Sequence, residues 1–234
     1  MVAFVGAGGK SSAILQVAYE LKEAGIKVLV APTTKMTIGE AESVGRVVTS
    51  EDGDGLREEA VRILQGEGAA VVGSAMLSKS RIGGVEVSWV PSLAPRDGVT
   101  LVEADGSRRR PLKGTATHEP FLPEGVTLVV AVGGVRALGV PMDEEHVHRP
   151  EVFSELTGTG LGQTVDAKAF AKALLAGLRS VPDGANRMAL LADVAPGRTM
   201  SDASAVAYEL WRGGVRSVVL SSLPKETPGR VWVL

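Results

Sequence analysis

Apolar and polar positions along this chain switch between two periods. Val2 to Val5 is a short apolar run closed by glycines, the pattern of a strand buried on both faces. Over residues 11–24 the apolar positions fall at helical spacing, at Ile14, Val17, Ala18 and Leu21, and Gly25 stands where a helix C-terminal cap belongs. KVLVA, residues 27–31, predicts the next strand. Strand, helix and strand in roughly 30 residues make a βαβ unit, whose crossover is right-handed in a parallel sheet.

The alternation continues to the end of the chain. Strands are expected at 46–49, 69–74, 99–104, 126–132, 188–192, 215–222 and 230–234. Helices are expected at 55–65, with Leu56, Ala60, Ile63 and Leu64 on one face, and at 166–179, with Phe170, Leu174 and Leu178 aligned. A third is expected at 202–212 behind a Ser201 cap. Pro150 suits the first position of another. Gly83-Gly84 between β-prone runs suggests an irregular hairpin over 81–90. Strands alternating with helices imply an α/β class with a mostly parallel sheet. There is no internal repeat and no clear linker, so one domain is expected over 1–234. The glycine- and charge-rich stretch 133–165 is a candidate lid or small insertion. The loops at 75–98 and 105–125 are long and polar, and long loops in compact domains often carry function.

Composition narrows the partners. The net charge of −2 gives no global positive field for nucleic acid or an anionic membrane. Aromatic residues are 4% of the chain, which weakens a base-stacking platform. With no cysteine, disulfides, thiolate metal sites and thiol catalysis are excluded. No apolar run reaches the length of a membrane span, and the first residues lack the features of a signal peptide. A cytoplasmic protein is expected.

Candidate chemistry begins with FVGAGGKSS, residues 4–12. The usual phosphate loop is G-x-x-x-x-G-K-[ST], and here the first glycine arrives two residues late, at Gly6. Glycines let backbone N–H groups approach an anion at a helix N-terminus, a lysine adds charge, and a hydroxyl holds Mg²⁺. The bare string also fits a glycine-rich turn before a solvated lysine. Its place, between the first strand and the first helix, is the context the motif requires. GAGGKS is similar to the shortened G-x-x-G-K-[ST] loop of the Mur ligases. Gly6, Ala7, Gly8, Gly9, Lys10, Ser11 and Ser12 are therefore candidates for a nucleoside triphosphate, and the fold expected is three-layer and P-loop NTPase-like.

A Mg²⁺ site also needs an acid at the tip of a neighbouring strand. VTLVEADGS ends an apolar run in Glu103 and Asp105, which strand alternation would place on one face. Mg²⁺ is commonly held by one or two carboxylates, waters and phosphate. In PTTKM, Thr34 is a further candidate metal ligand, with Lys35 beside it. SRRRPLK brings Arg108, Arg109, Arg110 and Lys113, suited to the γ-phosphate or to an anionic second substrate. The histidines are His118, His146 and His148. With no cysteine near, polar loop contacts or substrate binding fit them better than zinc.

GAGGKSS, TTKM, LVEADGSRRRPLK, HEP and VHRPE together resemble the YqeC-type accessory proteins of selenium-dependent molybdenum hydroxylases, along nearly the whole chain. VEADGSRRRPLK is the most specific piece. The resemblance implies a P-loop nucleotide-binding group that helps to mature such a hydroxylase. By position, Gly6, Gly8, Gly9, Lys10, Ser11 and Ser12 match the nucleotide loop, and Glu103, Asp105, Gly106, Ser107 and Arg108 match the acidic strand end. His118, Glu119 and Pro120 match one later loop, and His148, Arg149 and Glu151 another. One departure concerns the base: ALLADV keeps Asp193 but lacks the Asn and Lys of an N-K-x-D element, so ATP and GTP both stay open.

The expected cofactor is Mg²⁺ with ATP or GTP. Lys10, Glu103, Asp105 and Arg108 are the catalytic candidates, and Ser11, Glu103 and Thr34 the metal ligands. Lys35, Arg109, Lys113, His118, His148 and Arg149 are weaker candidates for a second substrate. Expected partners are the nucleotide and a molybdenum hydroxylase or its maturation proteins, not nucleic acid or membrane. An NTPase or phosphoryl-transfer enzyme is the leading reading. The alternatives are a nucleotide-gated chaperone with little turnover, and a nucleotidyltransferase, kinase or ligase acting on a pterin or other small anion.

Overall fold

The structure, a computed structural model, describes residues 1–222 and, as backbone, 230–233. The fold is α/β, with a large, mostly parallel sheet flanked by helices, consistent with the three-layer P-loop-like arrangement expected. Its strands among the described residues are β1 (Val2–Gly6), β2 (Lys27–Pro32), β3 (Arg46–Thr49), β4 (Ala69–Gly73), β5 (Gly98–Glu103), β6 (Leu128–Gly134), β7 (Asn186–Ala192), β8 (Ser217–Leu220) and β9 (Arg230–Val233). They lie in the order β9-β8-β7-β6-β1-β5-β2-β4-β3. β9 runs antiparallel to β8. Leu234, the last residue of the strand expected there, lies outside the described residues.

The chain divides into two compact units. The first comprises Met1–Phe4, Ser11–Gly106 and Phe121–Thr127. In it β5 pairs in parallel with both β2 and the start of β1, setting Phe4 opposite Glu103. All five residues of β4 are buried, as are Val28–Ala31 of β2. Unbroken apolar runs of this kind are what burial on both faces requires. Helix α1 (Lys10–Glu23) runs from the end of the glycine loop. Helix α3 (Gly53–Glu67) packs Leu56, Ala60, Ile63 and Leu64 inward, and the Asp52 carboxylate accepts from the Asp54 and Gly55 N–H groups at its start. Between them, α2 (Ile38–Val44) escapes the periodicity because only Ala41 and Val44 are buried. Its signature was local: the Thr37 hydroxyl and Glu40 carboxylate form a capping box.

The segment 81–90 is not the hairpin expected. Arg81–Ile82 pairs with both Met36–Thr37 and Met76–Ser78 in a small antiparallel sheet, and Val87–Trp89 forms a 3-10 turn leading into α4 (Val90–Leu93). Gly84 serves close backbone approach instead. A Cβ on Gly84 would lie 2.2 Å from the Thr33 carbonyl carbon.

The second unit comprises Val5–Lys10, Ser107–Pro120 and Leu128–Leu234. Strands β6, β7 and β8 pair in parallel. Helix α5 (Pro150–Thr157) starts at Pro150 as expected, and α6 (Ala167–Gly177) is capped by the Asp166 carboxylate, 2.7 Å from the Ala169 N–H. Helix α7 (Arg198–Arg212) begins earlier than the 202–212 expected, so Ser201 is inside the helix rather than at its cap. The Thr199 hydroxyl closes the preceding turn, donating to the Ala195 carbonyl and accepting from its N–H. Phe153, Phe170, Leu191, Val206 and Leu210 anchor this unit's core. Outside the large sheet, Leu112–Lys113 pairs in parallel with Val147–His148.

Candidate functional site

In the second unit, β1 ends in the glycine loop. Gly6, Gly8 and Gly9 have φ of 94°, 57° and 117°, the region where glycine carries no Cβ penalty. Space imposes the same choice. A Cβ on Gly6 would stand 2.5 Å from the Val132 carbonyl oxygen, and one on Gly8 2.5 Å from that of Pro111 and 2.6 Å from the Gly134 nitrogen. Ala7 is buried, and its N–H donates to Val132 at 2.9 Å. Lys10 is only 3% exposed, and its Nζ donates to the Gly6 carbonyl at 2.6 Å. The cation is thus held at the loop's own first glycine. The first turn of α1 carries no acidic residue, so no side chain there offsets the partial positive charge of the helix N-terminus.

In the first unit, Ser11 follows directly in the chain on α1. Its hydroxyl donates to a Glu103 carboxylate oxygen at 3.2 Å. Strand β5 ends at Glu103, so the alternation argument for Asp105 stops two residues short of it; Asp105 is buried. The Glu103 carbonyl accepts from both the N–H and the hydroxyl of Thr33 at 2.9 Å. Thr34 lies beside Gly106, its methyl 4.0 Å from where a Cβ on Gly106 would be. Ser12 is half-buried and Lys35 exposed. Ser11, Glu103 and Thr34 are hard oxygen donors, the chemistry Mg²⁺ takes, and the carboxylate number is within its habit. Among the described residues no three His, Cys, Asp or Glu side chains gather as a metal site.

The arginine segment and the later loop are both in the second unit. Lys113 is 2% exposed, with its Nζ 3.0 Å from Glu119. Arg149 grips the same carboxylate with two bonds, of 2.6 and 3.0 Å. Burial pushes the Glu119 pKa up, but the Arg149 hydrogen bonds and the Lys113 charge outweigh it and hold it at about 2. Glu119 is therefore the anion that lets Lys113 be buried, with the half-buried Arg149 sharing it. His118 and Arg109 are exposed. His148 is half-buried, and burial together with the Arg149, Lys113 and Arg108 charges lowers its pKa to about 4. His146 instead pairs with Asp143, 2.7 Å away. Arg108, Arg109 and Arg149 have φ of 49°, 62° and 59°. Such conformations cost non-glycine residues about 1–3 kcal/mol each and cluster at functional sites.

Two residues go beyond the site expected from sequence. Glu119 matched a motif position, but its role as the counter-ion of Lys113 and Arg149 exists only in three dimensions. Asp193, which the sequence suggests only for base recognition, follows β7 with φ of 63°. A Cβ on Gly134 would meet its carboxylate at 3.0 Å, and Gly134 in turn packs against Gly8. Burial raises the Asp193 pKa, with Arg136 at 3.7 Å opposing the rise. The signal was available: like VEAD, MALLAD is an apolar strand that ends in an acid.

Comparison with known proteins adds three facts. The family model described as YqeC protein matches residues 2–151. The Escherichia coli (strain K12) protein described as "Uncharacterized protein YqeC" is 31% identical over 193 residues. That match covers 80% of this chain and 73% of the relative.

Proposed function

The chain belongs to the YqeC family, and from that premise we propose that it binds a Mg²⁺–nucleoside triphosphate on Gly6–Ser12. Hydrolysis or transfer of the terminal phosphate would serve the maturation of a selenium-dependent molybdenum hydroxylase. One observation carries the reading: directly after a buried loop lysine, the Ser11 hydroxyl is hydrogen-bonded to the acid that ends β5. A solvated glycine turn has no use for a buried cation next to a serine–carboxylate pair.

The loop's part is positioning and charge. Its glycine conformations let N–H groups face an anion at the start of α1. Lys10 exchanges its bond to the Gly6 carbonyl for β- and γ-phosphate oxygens. Ser11, Glu103 and Thr34 are the residues that would hold Mg²⁺, which when bound neutralises phosphate charge. Arg108 supplies further positive charge.

Steady-state turnover of ATP and GTP by the pure protein tests this. The expected result is Mg²⁺-dependent phosphate release that falls at least about 100-fold in Lys10→Ala. Equal turnover in that variant would overturn the enzyme reading. Tight nucleotide binding, with turnover only once a partner protein is added, would mark a nucleotide-gated switch instead. Absence of nucleotide binding at any Mg²⁺ concentration would end both.

A further inference from the structure

A cavity of about 290 Å³ opens in the second unit between the arginine segment and the start of α5. Arg108, Arg110, His148 and Arg149 line it, and the exposed Glu144 and Glu151 stand among the lining residues. We propose that this cavity binds the oxyanion group, phosphate or carboxylate, of a small second substrate.

Three features support this. First, guanidinium groups match the planar, two-oxygen geometry of carboxylate and phosphate, and three of them meet here. Two of the three, Arg108 and Arg149, are held in left-handed backbone conformations, so the chain departs from its relaxed path where it presents these side chains. Second, the field at His148 is positive. Arg149, Lys113 and Arg108 all oppose its protonation, and Glu119 favours it, while the carboxylates of Glu144 and Glu151 line the same cavity. Glu119 is already engaged by Lys113 and Arg149. Third, size and rim set the ligand class. The volume is at the low end of small-molecule sites, and Glu144 and Glu151 would repel a polyphosphate tail while tolerating one compact anion. A nucleotide triphosphate is therefore the wrong occupant.

The position is also apt. Arg110 directly precedes Pro111, the residue against which Gly8 of the glycine loop packs. The cavity stands on its own residues. Its role as a second-substrate site rests on the nucleotide reading.

His148 provides the readout. Its ring signals, assigned with His148→Gln, are followed by NMR across about pH 4–8, with inorganic phosphate or acetate added at constant ionic strength. Binding of an anion favours the imidazolium, so the His148 pKa should rise by about one unit. Phosphate alone, acetate alone or both producing that saturable rise supports the site and identifies the oxyanion it prefers. No rise with either at tens of millimolar overturns it. Arg108→Ala and Arg110→Ala should each weaken the phosphate response at least about tenfold. An unchanged response in both overturns the assignment to this cavity. Lys10→Ala separates the two readings: it should abolish ATP binding and leave the phosphate response within about twofold. If ATP fails to bind even the unaltered protein while His148 still responds, the cavity stands and the nucleotide reading falls. If the phosphate response vanishes with Lys10, the anion site belongs to the loop and the proposal is overturned.

Discussion

Glu119 shows how much one residue can decide. Its carboxylate is shared by a nearly inaccessible Lys113 and by Arg149. Removing one partner of a buried ion pair leaves the other charge uncompensated. Glu119→Gln should therefore lower unfolding free energy by about 3 kcal/mol, measured by urea denaturation at neutral pH. The pH dependence follows from its depressed pKa. The stabilisation is complete above the ordinary value of 4.5 and is lost as pH falls through about 2. Wild-type stability should decline across that window, and the Gln variant should lack this component of the decline. At the loop, Gly8→Ala would place a methyl against three backbone atoms at positive φ. It should abolish nucleotide-dependent stabilisation, read as the loss of a thermal shift with Mg²⁺–ATP.

Elements are set by how pattern and ends combine. Helix α3 has both a four-residue apolar face and the Asp52 cap, which is why its position is plain from the sequence. Asp52→Ala should cost about 1 kcal/mol, read from denaturant midpoints, because two helix N–H groups lose their acceptor. Helix α2 buries two residues and relies on its capping box, so a search by periodicity passes over it. Helix α7 starts ahead of its expected serine cap because the Thr199 hydroxyl closes the turn before it. Local hydrogen bonds of this kind move an element's end without changing its apolar stripe.

At the scale of the whole molecule, a ligand bound only by the folded chain shifts its unfolding equilibrium. At a nucleotide concentration about 100 times Kd the gain is about 2.7 kcal/mol. For a chain of this length that is roughly 5–10 °C in Tm. Mg²⁺–ATP or Mg²⁺–GTP should produce such a shift in scanning calorimetry, and Lys10→Ala should remove it. A shift of equal size in the variant would place the nucleotide elsewhere. No described helix is long and apolar enough to span a membrane.

The sequence alone determined the α/β class, the strands of the large sheet and its longer helices, and the glycine–lysine–serine loop. These depend on periods and spacings that are local in the chain. It also determined that an acid closes the strand at Glu103. The tertiary structure alone decided which groups meet. Ser11 reaches Glu103 across 92 positions of sequence, and Arg149 reaches Glu119 across 30. It buried Lys113, a cation suited by sequence to a ligand, against Glu119. It placed Asp193 beside Gly134, and it gathered Arg108, Arg110, His148 and Arg149 around one cavity. Pairing of this kind depends on sheet register and on desolvation, and neither is written in the spacing of residues along one strand.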